Sequence, residues 1–184
     1  MRVVLLGAPG SGKGTQAERL SAVLGIPCIS TGDMLRQAVA EGTELGARVK
    51  SVMAAGELVA DDLMAAVVRE RLARPDAASG FLIDGFPRTP EQARTLDSIL
   101  AAAGESLDAV LLLEVPEPVL IERALARRRA DDQREVVLER LRVYRQKTEP
   151  LVEHYERRGL LRRVDGDRAI EPITGSLLAE LGQG

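Results

Sequence analysis

The stretch Gly7–Thr15 reads GAPGSGKGT and follows directly on the apolar run Val3–Leu6, VVLL. It departs by one residue from the usual phosphate-binding pattern of Gly, four residues, Gly-Lys and a hydroxyl, because Gly14 follows Lys13 and the hydroxyl arrives at Thr15. A glycine-rich turn between a buried strand and a helix exposes successive backbone N–H groups, and the helix N-terminus adds about half a positive charge. Lys13 would add a point charge for the outer phosphates. The flanks suit this reading: a strand-like run precedes, and a helical period follows, with Ala17, Leu20, Val23 and Leu24 on one face. A dinucleotide-binding fingerprint is excluded, since its third glycine would fall on Thr15. A tight turn with no ligand is the other reading of these glycines.

Outward from this loop, short Val/Leu/Ile-rich runs alternate with longer helical stretches: FLID at 81–84, AVLLLEV at 109–115, LLRRV at 160–164 and, more weakly, PCIS at 27–30. Apolar runs separated by helices predict a central parallel sheet of about five strands covered on both faces, a three-layer α/β arrangement. Gly25 reads as a helix C-cap, Thr89-Pro90 as a helix start closed by Gly104, and Asp61, Asp131 and Asp132 as further starts. The segment 31–59 breaks the alternation, with helical pieces divided at Gly42, Gly46 and Gly56 and no strand, and reads as an inserted helical flap. With 184 residues, 45% of them hydrophobic, one core and one domain over 1–184 are expected.

Bulk charge narrows the partners. Twenty-five basic residues against 28 acidic ones leave a formal charge of -3, so an anion site must be local and a duplex nucleic acid is not an expected partner. Two Phe, two Tyr and no Trp leave little for stacking single strands. The single Cys28 and single His154 cannot build a disulfide framework or a zinc cluster, so any metal is expected to be Mg²⁺ held by oxygens. Cys28 reads as core and His154 as a surface helix residue. The N-terminal apolar run is too short for a signal peptide or a membrane span, which predicts a cytoplasmic protein with no membrane partner; no apolar heptad seam argues against a monomer.

Five further segments, taken with the loop, carry a family resemblance: GAPGSGKGTQ, STGDMLR, GELVADD, DGFPRTPEQ, RRADDQ and ERLRVYRQKTEPL occur in order from residue 1 to about 165. Together they resemble the adenylate kinases of the nucleoside monophosphate kinase family. The resemblance implies a P-loop kinase fold and reversible Mg-dependent phosphoryl transfer from ATP to AMP, giving two ADP. It implies a core of 1–30, 60–120 and 133–184, an AMP-binding flap at 31–59 and a short lid at 121–132.

Such chemistry brings two polyanions together and asks the protein for positioning and charge rather than a nucleophile. The many arginines fit, since a planar guanidinium grips phosphate with two N–H groups and never deprotonates. By resemblance, Gly10, Ser11, Gly12, Lys13, Gly14 and Thr15 hold the ATP phosphates with Arg123 and Arg127. Thr31, Arg36, Glu57, Leu58, Val59, Gly85, Arg88 and Gln92 take AMP together with Arg129 and Arg140. Lys13, Arg88, Arg123, Arg129 and Arg140 are the expected catalytic set. Gly14 removes the hydroxyl that usually meets the metal, so Asp84, at the end of FLID, is the expected carboxylate for Mg²⁺, through water; a turn or helix cap is its other reading. The cluster RALARRR reads either as a solvated helix face or as a clamp, and Arg123 and Arg127 at i and i+4 point one way along a helix. Arg128 and the pairs 157–158 and 162–163 read as solvated. A side-chain amide at Gln92 can present both a donor and an acceptor to an adenine edge. UMP/CMP-type kinases are the alternative, but they carry Ala and Asn where Thr31 and Gln92 stand.

Two departures from the family stand out. Ala60 replaces a proline at the flap's hinge, and only three residues separate Arg127 from Asp131, a minimal lid expected to screen water less completely. A GTPase-type switch would need an Asn-Lys-x-Asp segment, and the chain has no Asn. A metabolite kinase would need neither DGFPRT nor STGDMLR.

Overall fold

Val3, Val4 and Leu5 are at most 1% exposed, as expected of a strand covered on both faces. In the computed structural model, which describes residues 1–127, 129 and 132–183, they form β1 (Arg2–Gly7) at the centre of a sheet. β1 pairs in parallel with β3 (Phe81–Asp84) and β4 (Ala109–Glu114), while β2 (Cys28–Ser30) and β5 (Leu161–Asp165) lie outside them. The order is β2-β3-β1-β4-β5, a five-stranded parallel sheet, as the alternation of apolar runs predicts.

The period of two along β1 separates two cores. Val3 and Leu5 pack with Leu82, Leu111 and Val164 under α1 (Lys13–Leu24) and α9 (Ile170–Glu180), through Ala17, Leu20, Ile173 and Leu177. Val4 and Leu6 pack the other way, with Ile83, Val110 and Leu112, under α4 (Asp61–Leu72), α5 (Pro90–Ala102) and α8 (Pro150–Arg157). Leu35 of α2 (Thr31–Glu41) and Val49 of α3 (Glu44–Ala54) join this second core. A third, smaller cluster sets Ala8 of the loop against Leu120 and Ala124 of α6 (Glu117–Ala126) and Val137 and Leu141 of α7 (Arg134–Val143). Between α7 and α8 the chain makes a π-helical turn over Tyr144–Thr148.

Several helix boundaries follow the local chemistry. Ser30 and Thr89 cap α2 and α5, each accepting a backbone N–H three residues on, and Pro90 takes the first helical position. Gly25 ends α1 in the left-handed conformation. Three expectations need correction. Val23 is 61% exposed, because the buried face of α1 is turned to take Gln16, Ala17 and Leu20 instead. Gly46 does not break a helix: Thr43 caps α3 and Gly46 lies in its first turn, where a Cβ would come within 2.0 Å of the Ala38 carbonyl oxygen. Its lack of a side chain lets α2 and α3 cross closely. Asp61, by contrast, is the first residue of α4, in agreement with its reading as a helix start. Asp132 starts no helix, since α7 begins at Arg134 and the Asp132 carboxylate turns inward to arginines. The expectations for Arg128 and Asp131 lie outside the described residues.

In this order the carboxyl ends of β1, β3 and β4 open side by side, the place where open parallel sheets present a crevice.

Candidate active site

The glycine-rich segment forms the turn between β1 and α1. Gly12 occupies the N-cap position of α1 with φ 93° and has no side chain to cap the helix, which leaves first-turn donors for an external acceptor. Gly10 comes so close to α6 that a Cβ would sit 2.3 Å from the Leu120 carbonyl oxygen. Lys13 bends back over the turn and donates to the carbonyls of Gly7 at 2.7 Å and Ala8 at 3.1 Å. Burial pushes its pKa down to about 8, against the opposing pull of Asp84. The residues expected for ATP phosphates, Gly10 to Thr15, all border one cleft of about 580 Å³.

Across the cleft stand the expected arginines: Arg36 on α2, Arg88 beyond β3, Arg123 on α6, Arg127 and Arg129 beyond it, and Arg140 on α7. With Lys13 and Arg168 they outnumber Glu18, Asp33 and Asp84, the carboxylates among the described lining residues, so this acidic chain gathers positive charge locally. Each is held in place. Arg88 Nε donates to the Gly85 carbonyl at 2.8 Å, and the Arg88 carbonyl accepts from Thr148 Oγ1 at 2.9 Å. Arg123 donates to the Gly166 carbonyl at 2.8 Å. Arg36 pairs with Asp33, and Arg129 approaches the same carboxylate at 3.9 Å.

Asp132 is the organising anion. Its carboxylate accepts from Arg127 Nε and Nη2 at 3.0 and 2.7 Å and from the Arg129 backbone N–H at 2.9 Å, with Arg140 at 3.7 Å. Burial alone would raise its pKa; the bonds from Arg127 and Arg129 and the charges of Arg127 and Arg140 outweigh it and hold the carboxyl below the ordinary range. Asp33 shows the same balance, with burial opposed by Arg36 and Ser30.

A smaller recess of about 60 Å³ adjoins the cleft, lined by Thr31, Leu35, Met53, Glu57, Leu58, Val59, Met64 and Gln92, and sharing Arg36, Gly85, Arg88 and Arg140 with it. Every residue expected on the AMP side except Arg129 borders this recess, and Arg129 borders the cleft. Gln92 differs from expectation in one respect: its amide is already engaged on both sides. Nε2 donates to Asp61 Oδ1 and Oε1 accepts the Arg88 backbone N–H, each at 2.7 Å. Thr31, 1% exposed, donates to the Asp84 carbonyl at 3.3 Å.

Asp84 ends β3 beside Lys13 and lines the cleft. Among the described residues no group of three or more His, Cys, Asp or Glu is placed to hold a metal ion. Cys28 packs at the edge of the α1 core, and burial pushes its thiol up to about 11. His154 lies half-buried on α8 against Tyr155 and Arg158, and burial with the Arg158 charge lowers its pKa.

Sequence reasoning missed the roles of Asp132, Asp61 and Thr148. A carboxylate inside an arginine-rich segment is the available signal for the first. No local signal pairs Asp61 with a glutamine 31 residues on, or Thr148 with a carbonyl 60 residues back.

The family model for adenylate kinase matches residues 5–160. The chain belongs to the adenylate kinase family. Adenylate kinase of Stenotrophomonas maltophilia is 50% identical over 185 residues, covering 98% of this chain and 99% of the relative. That of Nocardia farcinica is 49% identical over 183 residues and covers both chains entirely, and that of Kosmotoga olearia is 44% identical over 212 aligned residues, covering 98% and 99%. As a member of this family the chain is a nucleotide-binding transferase, a kinase that moves phosphoryl groups between nucleotides. Its parallel five-stranded sheet with a phosphate loop after β1 is the P-loop kinase arrangement the resemblance implies. Among the described residues no helix is long and apolar enough to cross a membrane.

Proposed function

We propose that this family member transfers the terminal phosphoryl group of Mg-ATP to AMP, reversibly, giving two ADP. The observation that carries the reading is the meeting of the phosphate loop's cleft and the smaller recess at shared arginines, Arg36, Arg88 and Arg140. A donor bound along Gly10–Thr15 and an acceptor seated in the recess would bring their phosphates together among these side chains. The bond between the γ-phosphorus and its bridging oxygen breaks as an oxygen of the acceptor's phosphate bonds to that phosphorus. The attacking oxygen is already ionised, so no general base is needed. What must be overcome is the repulsion between anions.

Lys13 and the loop amides hold the donor phosphates, Arg127 clamps them, and Arg36 and Arg88 hold the acceptor phosphate. Arg123, Arg129 and Arg140 neutralise charge on the group in transit; one such arginine is worth about 10³- to 10⁵-fold in rate. Asp84 fits a water-mediated hold on Mg²⁺, having a carboxylate beside Lys13 at a strand end, where Gly14 supplies no hydroxyl. Mg²⁺ held there would supply positive charge to offset that of the donor's phosphates. The segment 31–59, which contains α2 and α3, is proposed to close as the flap, and 121–132 as the lid.

The test is nucleotide chromatography after incubation with Mg-ATP and AMP, CMP, UMP or GMP in parallel. Rapid ADP formation with AMP alone, lost in Lys13→Ala, is expected. Equal turnover of CMP or UMP would move the chain to the pyrimidine monophosphate kinases and overturn the roles given to Thr31 and Gln92.

A further inference from the structure

An ionised carboxylate only accepts hydrogen bonds, and a backbone N–H only donates. Gln92 lies between one of each: Asp61 Oδ1 at 2.7 Å from its Nε2, and the Arg88 N–H at 2.7 Å from its Oε1. Reversing the amide would set oxygen against a carboxylate and N–H against N–H, losing both bonds in a side chain that is 2% exposed. Asp61 is itself fixed at the first position of α4, where the Thr89 hydroxyl approaches its two oxygens at 3.3 and 3.2 Å while accepting the Gln92 backbone N–H at 3.1 Å. The cap of α5 is already supplied by Thr89, so the carboxylate is not needed to start that helix. After these bonds the Gln92 amide retains one N–H and one lone pair, and Gln92 borders the smaller recess.

We propose that Asp61 is a specificity-determining positioning residue: by holding the Gln92 amide in one orientation it fixes the donor–acceptor order met by the acceptor's base, and so selects a 6-aminopurine over a 6-oxopurine. The two bases differ in just this order. A 6-aminopurine offers an N6 donor beside an N1 acceptor, whereas a 6-oxopurine offers an O6 acceptor beside an N1–H donor. The inference rests on AMP being the acceptor.

Asp61→Asn is the informative change, because a side-chain amide at 61 can meet Gln92 in either orientation and leaves the Arg88 N–H as the remaining contact of these two that opposes reversal. The measurement is kcat/KM for AMP divided by kcat/KM for inosine monophosphate, taken on one preparation so that any unfolded fraction cancels. A fall in this ratio of about tenfold is expected, with the KM for AMP rising and that for ATP holding, since one of the two hydrogen bonds that oppose the reversed amide no longer does so. In a Gln92→Ala background the same substitution leaves the ratio unchanged. Asp61→Ser, whose hydroxyl both donates and accepts, is read in the same way and carries the test if the first variant does not fold. A ratio within twofold of the parent, or an equal fall in the Gln92→Ala background, overturns the proposal. A parent protein with no AMP turnover fails one level earlier, at the proposed function.

Discussion

Removing the charge of Asp132 should disarm the cleft and weaken the fold together. In Asp132→Asn the carbonyl oxygen retains one bond, but the amide N–H₂ now faces a guanidinium. The parent carboxylate is 1% exposed and binds Arg127 through two N–H groups, with Arg140 at 3.7 Å. Breaking a fully buried ion pair costs about 3–5 kcal/mol. Arg127 is 34% exposed and Arg140 18% exposed, so water takes up part of the orphaned charge, and a loss of about 2–3 kcal/mol is expected. For a domain of this size that corresponds to a Tm lower by about 4–12 °C. Arginines displaced by an ångström cost about 10²-fold in kcat. Thermal melts of parent and variant, with and without saturating ATP, read the first effect, and steady-state assays the second. ATP should raise Tm more in the variant, because its phosphates supply the anion that the substitution removes. The pH dependence has a defined sign. A carboxyl held below its unfolded value of about 3.9 contributes stability that is complete above that value and is lost as pH falls through the folded one. The two melting curves should therefore converge on acidification below about pH 4. A variant that melts within a degree of the parent at pH 7, with unchanged kcat, would refute the assignment of Asp132 as the anion that sets these arginines.

Further outcomes are expected elsewhere in the molecule. Because burial sets the Lys13 pKa near 8, ATP affinity in the free enzyme should fall about tenfold per pH unit once pH passes that value; a flat profile from pH 7 to 9.5 in direct binding titrations would contradict it. For folding the sign is opposite, since the depressed lysine penalises the folded state below about pH 8 and the penalty fades as pH rises toward 10.5. Gly46→Ala should cost about 1–3 kcal/mol in chemical denaturation, the penalty of overpacking where a Cβ would meet the Ala38 backbone at 2.0 Å, and an unchanged midpoint would show that α2 and α3 separate freely. With so short a segment at 121–132, a slow ATP hydrolysis should be measurable without AMP, and undetectable phosphate release would mean that the cleft excludes water by other means.

The sheet was legible because buried parallel strands must be apolar on both faces, and VVLL, FLID and AVLLLEV leave few other readings. The loop was legible because its glycines, lysine and flanks form one local unit. The arginines could be named but not their holders, since partners such as Gly166 for Arg123 and Thr148 for Arg88 are far apart in sequence and meet only through the fold. The helical period allows neighbouring faces, so Val23 can point outward while the polar Gln16, buried against α9 through Thr174 and the Ile170 carbonyl, takes the inward place. Gly46 looked like a breaker because a glycine that permits close packing and one that ends a helix are the same letter.

Gly10 and Leu120 lie 110 residues apart along the chain, yet a single methyl group added to the first would have to occupy the space of the second's carbonyl oxygen. The loop and α6 therefore act as a hereditary unit: neither can drift in shape unless the other drifts with it. A graft of GAPGSGKGT onto another scaffold would carry the letters of this loop without the surface that gives it its form.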